Sequence, residues 1–244
     1  MKKINIGIIG YGKMGKIREN SFLSSDDVKL ISIFDLNYLE QRDDVIVCES
    51  LDELLNSGID AVFISSYVNT NAEYTIKSLE ANKHVFCEKP PAMNSKEMIE
   101  VSELFHKKDL ILKYGFNHRY HYSAMEAKKI IDSGNMGKLL WMRGVYGKAG
   151  SIDFDKEWRN YKKYSGGGIL MDQGIHMIDL FRFFSNQEFE CVNSHVSTEY
   201  WNIENEDNAF LLLKSKEGII ASMHSTANQW RHKFLLEMTF EKGY

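Results

Sequence analysis

Residues 4–15 read INIGIIGYGKMG, and this stretch decides the fold of the first part of the chain. A short apolar run ends in a G-x-G-x-x-G pattern, and residues 13–23 then have the composition of a helix. A glycine pattern that follows a strand and opens a helix predicts a βαβ turn that binds a pyrophosphate at the helix N-terminus. The predicted cofactor contacts of this glycine loop are Gly10, Tyr11, Gly12, Lys13, Met14 and Gly15.

The three glycines have different predicted roles. Gly10 permits the tight turn, Gly12 lets the backbone approach the phosphates, and Gly15 allows the helix to pack closely on the strand. Taken alone the pattern is weak, because glycine triplets recur by chance in loops. Its position between a strand and a helix favours a nucleotide site over simple turn residues.

An acidic residue follows the predicted second strand. Asp35 lies 20 residues after Gly15, where a carboxylate accepts hydrogen bonds from the ribose hydroxyls of an adenosine. Asp35 also repels a 2′-phosphate, and Leu36 and Asn37 supply no cation to offset that repulsion. We therefore predict NAD as the cofactor. NADP remains the alternative, because Arg42 could fold back and offset the charge of Asp35.

The chain divides into two patterns near residue 120. Before it, strands at 3–9, 28–34, 61–65, 84–87 and 110–114 alternate with helices at 13–23, 51–57, 72–81 and 95–107, the last with Ser95 as N-cap. This alternation predicts a parallel sheet with right-handed crossovers. Beyond residue 120 we predict helices at 123–133 and 169–184, and strands at 139–146, 190–200, 209–214, 219–225 and 235–240.

The predicted fold class is therefore α/β with a second α+β domain. Residues 1–120 form a Rossmann dinucleotide-binding domain, and residues 121–244 form a domain on a mostly antiparallel open sheet. Because the later runs alternate polar and apolar residues, one face of that sheet is expected to meet a helix layer.

The composition excludes several classes of protein. Hydrophobic residues make up 43% of the 244 residues and charged residues 26%, which is typical of a soluble globular chain. The formal charge of −4 offers no global attraction for a nucleic acid. No apolar run approaches the roughly 18 residues that a membrane-spanning helix needs, and the 3 cysteines include no C-x-x-C pair. We expect a cytoplasmic protein with neither a nucleic acid nor a membrane partner.

Residues 87–91 read CEKPP and follow the predicted strand at 84–87. The carboxyl end of a parallel strand is where open α/β sheets bind ligands. Both prolines of the chain lie here, and a cis X-Pro bond would hold Lys89 in a fixed direction. The alternative interpretation is a solvated charge pair of Glu88 and Lys89.

Asp172 and His176 are one helical turn apart on a predicted helix that is otherwise apolar. Two polar groups that face one direction indicate a cleft, where an imidazole can exchange a proton near neutral pH. Asp172 could orient the ring or bind a substrate hydroxyl. Two alternatives are a core histidine with its hydrogen bonds satisfied and a zinc site, for which the spacing fits but no third ligand is evident. No metal is predicted.

Three ordered motifs together resemble those of the Gfo/Idh/MocA oxidoreductases, the group named for glucose-fructose oxidoreductase and inositol dehydrogenase. They are the glycine loop with Asp35, residues 88–90 (EKP), and residues 166–176 (GGGILMDQGIH). Residues 115–120 (GFNHRY) resemble the family's joint between domains, and Trp158–Arg159 resembles its sugar-processing members. The resemblance covers essentially the whole chain.

The resemblance implies an NAD(P)-dependent dehydrogenase acting on a secondary alcohol or ketone of a sugar, cyclitol or nucleotide sugar. Lys89, Asp172 and His176 are the implied catalytic set: His176 as acid and base, Lys89 as the cation that stabilises the reacting oxygen, and Asp172 as the group that holds the geometry. Ser65, Ser66, Glu88 and Lys89 extend the implied cofactor site.

Substrate and partner residues are also expected. Arg119, Tyr120, Trp158 and Arg159 could supply donors and a stacking face for a sugar, with Tyr161 and Tyr164 nearby, although aromatic residues at such spacings also serve as core or interface. The resemblance further implies a homodimer or homotetramer that pairs through the sheet of the second domain. Residues 228–232 (NQWRH) are expected at that interface or at the ligand.

Two features depart from the family pattern. Residues 66–71 read SYVNTN where the family usually has a Thr/Ser-Pro-Asn turn, so the loop on the nicotinamide side is expected to differ. Residues 241–244 (EKGY) look like a hairpin turn in mid-sheet, so the second domain is expected to be incomplete. The alternative function is a sensor of the same fold that binds a dinucleotide without turnover, although the presence of Lys89, Asp172 and His176 together favours the enzyme.

Overall fold

The computed structural model describes residues 3–22, 24–37, 40–150 and 152–244. Its contacts divide the chain into two compact units, Met1–Gly115 and Phe116–Tyr244. Leu23, the predicted last residue of the first helix, lies outside the described residues. Among the described residues, no helix is both long enough and apolar enough to cross a membrane.

The first unit is built on a parallel sheet with the strand order β3-β2-β1-β4-β5-β6. The strands are β1 (Ile4–Ile9), β2 (Val28–Phe34), β3 (Ile46–Val47), β4 (Ala61–Ile64), β5 (His84–Cys87) and β6 (Leu112–Tyr114). The helices are α1 (Lys13–Phe22), α2 (Leu51–Leu55), α3 (Val68–Glu80) and α4 (Ser95–Phe105). This six-stranded order confirms the predicted Rossmann architecture.

Local chemistry changes the start of α3 and the N-cap of α4 relative to the prediction. Helix α3 begins at Val68, because residues 68–71 continue its buried face before the predicted start at residue 72. The prediction of Ser95 as N-cap of α4 is wrong. Asn94 is the N-cap: it has extended backbone, and its Oδ1 accepts a hydrogen bond from Glu97 N at 3.1 Å, while Glu97 Oε2 accepts one from Met93 N.

The second unit is built on a five-stranded sheet with the order β11-β7-β10-β9-β8. Its strands are β7 (Leu139–Ala149), β8 (Phe189–Ser197), β9 (Asn208–Ser215), β10 (Ile220–Thr226) and β11 (Asn228–Phe240), and its helices are α5 (Tyr122–Asp132), α6 (Lys162–Ser165) and α7 (Ile175–Ser185). Only the β10–β7 pair is parallel among these described strands, so the prediction of a mostly antiparallel sheet is confirmed.

Helix α7 covers the inner face of this sheet. Met177 and Phe181 of α7 are completely buried in a core with Leu213 and Met223. Gly144 of β7 makes this approach possible, because a Cβ at that position would lie 2.5 Å from Met177 Sδ. Burying such a helix face stabilises the unit by about 25 cal/mol per Å2 of apolar surface removed from water.

The predicted helix over 169–184 is not a regular α-helix. Leu170–Gly174 form a π-helical turn, and α7 starts only at Ile175. A π-turn uses i→i+5 hydrogen bonds and carries more residues per turn than an α-helix. The spacing predicts that Asp172 and His176 are one regular α-helical turn apart, but the π-turn changes their relative positions on the helix.

Asp207 fixes the loop between β8 and β9. Its carboxylate is fully buried and accepts hydrogen bonds from the backbone N–H groups of Glu199, Tyr200 and Trp201 at 3.0, 2.9 and 3.0 Å. Asn208 Nδ2 donates a fourth hydrogen bond at 2.8 Å. Burial alone raises the pKa of Asp207, but these hydrogen bonds hold the pKa below its ordinary value.

We expect Asp207→Asn to lower the free energy of unfolding at pH 7 by about 2 kcal/mol, because an amide cannot accept all of these hydrogen bonds. The folded-state pKa of Asp207 lies below its unfolded value. Its contribution is therefore complete above about pH 4 and is lost as the pH falls through the folded-state pKa. Urea unfolding between pH 7 and pH 3 should show weaker acid destabilisation in the variant than in the wild type.

The control for this prediction is Asp153→Asn. It removes an exposed carboxylate that accepts a hydrogen bond from Lys156 Nζ at 2.7 Å, a pair that contributes little in water. Equal acid sensitivity of Asp207→Asn and the wild type would contradict the role given to Asp207.

Candidate active site

The glycine loop has the close packing that a phosphate cradle requires. Gly10 follows β1 with φ +82°, a conformation that favours glycine, and a Cβ there would lie 2.6 Å from Ser65 O. A Cβ at Gly15 would collide with Gly10 O, so α1 starts directly against the loop. Gly12 has open space around its Cβ position. The loop is therefore tight on the protein side and free on the side where a pyrophosphate would approach.

The Asp35 carboxylate holds the glycine loop in place through a hydrogen bond. Tyr11 N donates a 2.6 Å hydrogen bond to Asp35 Oδ2, and Asn37 N donates one of 2.8 Å to Oδ1. The backbone of the loop is thus tied to the carboxyl end of β2. Asp35, the residue predicted to bind the ribose, therefore lies beside the predicted phosphate loop.

Arg42 is engaged in a polar cluster rather than turned toward Asp35. Its guanidinium donates to Glu19 Oε1 at 2.9 Å, to Asp44 Oδ2 at 2.6 Å and to Tyr11 Oη at 2.5 Å. The Tyr11 hydroxyl in turn donates to Glu19. Burial, together with Glu19, raises the pKa of Tyr11 to about 12. Two carboxylates thus neutralise the cation that could have offset the charge of Asp35.

The ends of β4 and β5 are joined by a buried asparagine. Asn71 of α3 is 1% exposed; its Oδ1 accepts from Ser66 Oγ at 3.0 Å, and its Nδ2 donates to Pro90 O at 2.8 Å. Ser65 Oγ is buried and has no hydrogen-bond partner among the described residues. A hydroxyl in that state next to Gly10 fits a site for a polar cofactor. Ser66 and Tyr67 lead directly into α3, where the family usually has a Thr/Ser-Pro-Asn turn.

Lys89 and Glu88 follow β5 and have different surroundings. The Glu88 carboxylate accepts a 2.5 Å hydrogen bond from Arg18 Nε of α1, and it is too close to Gly115 for a Cβ there, at 2.7 Å. The interpretation of Glu88 and Lys89 as a solvated pair with each other is thus replaced by a buried Arg18–Glu88 pair. Lys89 is half-buried, and the Lys89–Pro90 bond is cis.

In the second unit, a predicted substrate residue contacts a predicted catalytic residue. Arg159 Nε lies 3.6 Å from Asp172 Oδ1, and the Arg159 guanidinium lies 4.5 Å from the centre of the Trp158 ring. Gln173 Nε2 donates to Asp172 Oδ2 at 3.1 Å. The Asp172 side chain is 17% exposed and that of Arg159 is 38% exposed, so part of each side chain is accessible to solvent.

His176 is buried in a cluster of rings. It is 3% exposed; the ring centre of His118 is 4.0 Å from its own, and that of Phe116 is 6.0 Å away. His118 Nε2 lies 3.1 Å from the hydroxyl of Tyr146, and burial, with the charge of Asp172, raises the pKa of Tyr146. The cluster therefore combines two imidazoles and a phenol that stays protonated at neutral pH.

The other predicted substrate residues have different positions. Arg119 forms a bidentate pair with Asp179 of α7, which is 4% exposed, through Nε at 2.7 Å and NH2 at 2.5 Å. This pair fixes the 3-10 turn Asn117–Tyr120 to α7, so the guanidinium has a structural partner. Tyr120 is 59% exposed. A substrate contact by Arg119 or Tyr120 stays a prediction.

Several residues of the site were not predicted from the sequence. Arg18, Asn71, His118 and Tyr146 bond or contact predicted site residues, and Glu206 bonds Gly168 in the motif that carries Asp172. His118 lies in residues 115–120, which the motif analysis quoted without giving it a role. Asn71 lies in residues 66–71, which were quoted only as a departure from the family pattern. Arg18, Tyr146 and Glu206 lie in no quoted motif and are separated from their partners by 30 to 70 residues. Only folding brings them to the site.

Comparisons with known proteins agree with this geometry. Residues 4–116 match the family model described as an oxidoreductase family with an NAD-binding Rossmann fold, and residues 124–244 match that of the Gfo/Idh/MocA C-terminal domain. The chain is 31% identical to myo-inositol 2-dehydrogenase of Thermotoga maritima over 228 residues, which cover 89% of this chain and 66% of that protein. The chain thus spans slightly less than two thirds of that relative.

Two solved structures share the fold. Levoglucosan dehydrogenase in complex with NADH and L-sorbose has a TM-score of 0.87 and 25% identity, over 99% of this chain and 72% of that one. GenD2 from gentamicin A biosynthesis, in complex with NAD, has a TM-score of 0.90 and 21% identity, over 100% of this chain and 71% of that one. Since matches to two domains of one family cover both units, the chain belongs to the Gfo/Idh/MocA oxidoreductase family, and residues 4–116 are its NAD-binding Rossmann domain.

Proposed function

We propose that the protein is an NAD-dependent dehydrogenase that interconverts a secondary alcohol and a ketone on a sugar, cyclitol or nucleotide sugar. The observation that carries the proposal is that the second unit contains both the buried His176 and the Arg159–Asp172 contact. The first unit of the same chain contains the glycine loop. A dinucleotide loop alone would fit many functions. A buried imidazole in the same unit as a paired carboxylate favours proton transfer to and from a hydroxyl.

The residues of the first unit fit NAD. Gly10, Gly12 and Gly15 with the start of α1, including Lys13 and Met14, would hold the pyrophosphate, and Asp35 would accept from the adenosine ribose. Ser65 Oγ, buried with no partner among the described residues, would donate to the cofactor near Ser66. Glu88 would act through its pair with Arg18, which fixes the segment that carries Lys89. When bound, NAD supplies the hydride acceptor and NADH the hydride donor.

The residues of the chain would handle the proton and the charge. In the oxidative direction a ring nitrogen of His176 takes the hydroxyl proton, and in the reductive direction it returns that proton. Lys89 Nζ donates a hydrogen bond to the reacting oxygen and stabilises its developing negative charge. Asp172, contacted by Arg159, holds the substrate hydroxyls in register with His176. Residues 1–120 would thus bind the cofactor and supply Lys89, and residues 121–244 would supply the other groups for the substrate.

The first test is titration with NADH and NADPH by fluorescence, followed by a screen of sugars, cyclitols and nucleotide sugars for absorbance change at the nicotinamide band. We expect NADH binding and turnover. His176→Asn and Lys89→Met should each lower kcat by about 10²-fold or more, because they remove the proton acceptor and the oxyanion partner. The Kd for NADH should stay within about twofold in His176→Asn, since that residue belongs to the second unit.

The matched control is His106→Asn, which changes an exposed histidine at the C-terminal end of α4. It should leave kcat unchanged. Turnover that survives His176→Asn would contradict the proposed base. NADH binding without turnover of any substrate would favour the sensor of the same fold, and no binding of either cofactor would exclude the proposal.

Cofactor preference gives a second prediction. Glu19→Gln combined with Asp44→Asn removes the carboxylates that neutralise Arg42, and the freed guanidinium can then pair with a 2′-phosphate. We expect the ratio of NADPH to NADH affinity to rise by about tenfold, which corresponds to about 1.4 kcal/mol. Fluorescence titration of both cofactors measures it. Glu73→Gln, which breaks an exposed pair with Lys77, is the control, and an unchanged ratio in the double variant would refute the role of Arg42.

Assembly gives a third prediction. The outer face of the second sheet exposes Trp141, Phe210, Leu212 and Ile220, which are 37 to 44% exposed, while their neighbours Ala209 and Leu213 point into the core. We propose that two copies pair through this face, as the family resemblance implies. Phe210→Glu should halve the mass measured by light scattering, because it would bury a charge at the interface.

The control for assembly is Ile152→Glu, at a residue that is 96% exposed and belongs to no strand of the sheet. This variant should keep the wild-type mass. A monomeric wild-type protein, or a Phe210→Glu variant that keeps its partner, would contradict pairing through this face.

A further inference from the structure

Five consecutive residues, Glu204 to Asn208, each bond a different part of the second unit through their side chains. This tether segment lies at the start of β9. Glu204 accepts from Lys162 N, Asn205 donates to Arg159 O and Ser165 Oγ, Glu206 accepts from Gly168 N and Leu170 N, Asp207 accepts from residues 199–201, and Asn208 bonds His224. Two of its five members hold the loops that carry the Arg159–Asp172 contact.

Glu206 fixes the start of the π-helical turn that carries Asp172. Its Oε2 accepts from Gly168 N at 2.8 Å, its Oε1 from Leu170 N at 3.1 Å, and its backbone oxygen from Ile169 N at 3.0 Å. One residue thus satisfies three successive backbone donors that a helix start leaves open. Asp172 N then donates to Gly168 O at 2.9 Å, so the turn proceeds directly from this anchor.

Close packing explains why residue 168 is a glycine. A Cβ at Gly168 would collide with Glu206 O and lie 2.9 Å from Glu206 N. The turn and the tether segment are therefore in backbone contact, and neither can shift without the other. Position 172 is two residues beyond the anchored stretch.

Asn205 fixes the other side of the same contact. It is 3% exposed, and its Nδ2 donates to Arg159 O and to Ser165 Oγ, both at 2.9 Å. Arg159 Nε lies 3.6 Å from Asp172 Oδ1. Two neighbouring side chains, Asn205 and Glu206, thus hold the backbone on the two sides of one ion pair.

We propose that Asn205 and Glu206 are positioning residues that set the Arg159–Asp172 contact and, through it, the orientation of the substrate. The expected loss of rate rests on the proposed dehydrogenase function. The expected control of the Arg159–Asp172 contact does not. Neither residue touches the reacting atoms in this proposal. They act because a misplacement of about 1 Å in a catalytic carboxylate is enough to lower a rate strongly.

The test uses isosteric changes in the full chain. Glu206→Gln keeps the shape but turns one acceptor oxygen into an amide donor, which faces either Gly168 N or Leu170 N. Asn205→Asp removes the two donated hydrogen bonds in the same way. Each variant should lower kcat by about tenfold or more and raise KM for the sugar. The KM for NAD and the Kd for NADH should stay within about twofold, which a general loss of structure would not allow.

The matched control is Glu204→Gln, which alters the neighbouring exposed carboxylate bonded to Lys162 N and should behave as the wild type. A second readout needs no turnover. Hydrogen exchange of the Gly168 and Leu170 amides should accelerate in Glu206→Gln, and the NMR signal of Arg159 Nε–H should shift in both positioning variants. Assays are run well below the unfolding temperature of each variant.

The outcomes separate the two proposals. Equal kcat in Glu206→Gln and Glu204→Gln, or unchanged exchange at Gly168 and Leu170, overturns the positioning role. If the wild type turns over no substrate, the dehydrogenase proposal fails by itself. Faster exchange and a shifted Arg159 signal would then still support control of the Arg159–Asp172 contact, and unchanged signals would overturn it.

Discussion

Side chains that satisfy backbone groups in irregular segments are the interaction on which this protein depends. Several of its candidate site residues, among them Lys89, Arg159 and Asp172, lie on short loops or turns and a π-turn, where no regular α-helix or strand bonds the backbone. Buried polar groups must find partners, since each one left unsatisfied costs about 1–3 kcal/mol. Asn71 supplies such partners in the first unit, and Glu206 and Asp207 supply them in the second. The geometry of both sites therefore rests on residues that need not contact a ligand.

Charge pairing narrows the set of groups that are available for chemistry. Glu88 pairs with Arg18, Arg42 with Glu19 and Asp44, and Arg119 with Asp179. Glu88, Glu19 and Asp179 are buried, so removal of their cationic partner would leave an uncompensated buried charge, whereas Asp44 is exposed. In the first unit, Asp35 is the carboxylate that we propose for the ribose. In the second, Arg159 and Asp172 form the partly exposed polar pair that we propose for the substrate.

Much of the fold could be predicted because its signals are local. The strands over residues 28–34 and 84–87 were predicted at their observed bounds, since continuous apolar runs mark buried parallel strands. Strand β3 was missed because it has only two residues, Ile46 and Val47, and Ile46 is 48% exposed. Strand β11 begins at Asn228 rather than at the predicted residue 235, because a register irregularity over residues 228–233 hides its alternation. The predicted helix over residues 169–184 includes a π-turn, which spacing alone does not reveal.

The sequence by itself determined the glycine loop, the acid at the end of β2, the alternation of strands and helices, and the candidate residues Lys89, Asp172 and His176. The first three follow from local sterics and periodicity, which a single stretch of chain expresses, and the three candidate residues form the catalytic set that the family resemblance implies. The tertiary structure alone decided that Arg42 is neutralised and that Arg159 contacts Asp172. It also decided that the His118 ring packs on His176 and that Glu206 anchors the π-turn that carries Asp172. Those contacts join residues up to 58 positions apart in the chain. Their formation depends on the packing of whole elements, which no spacing in the sequence encodes.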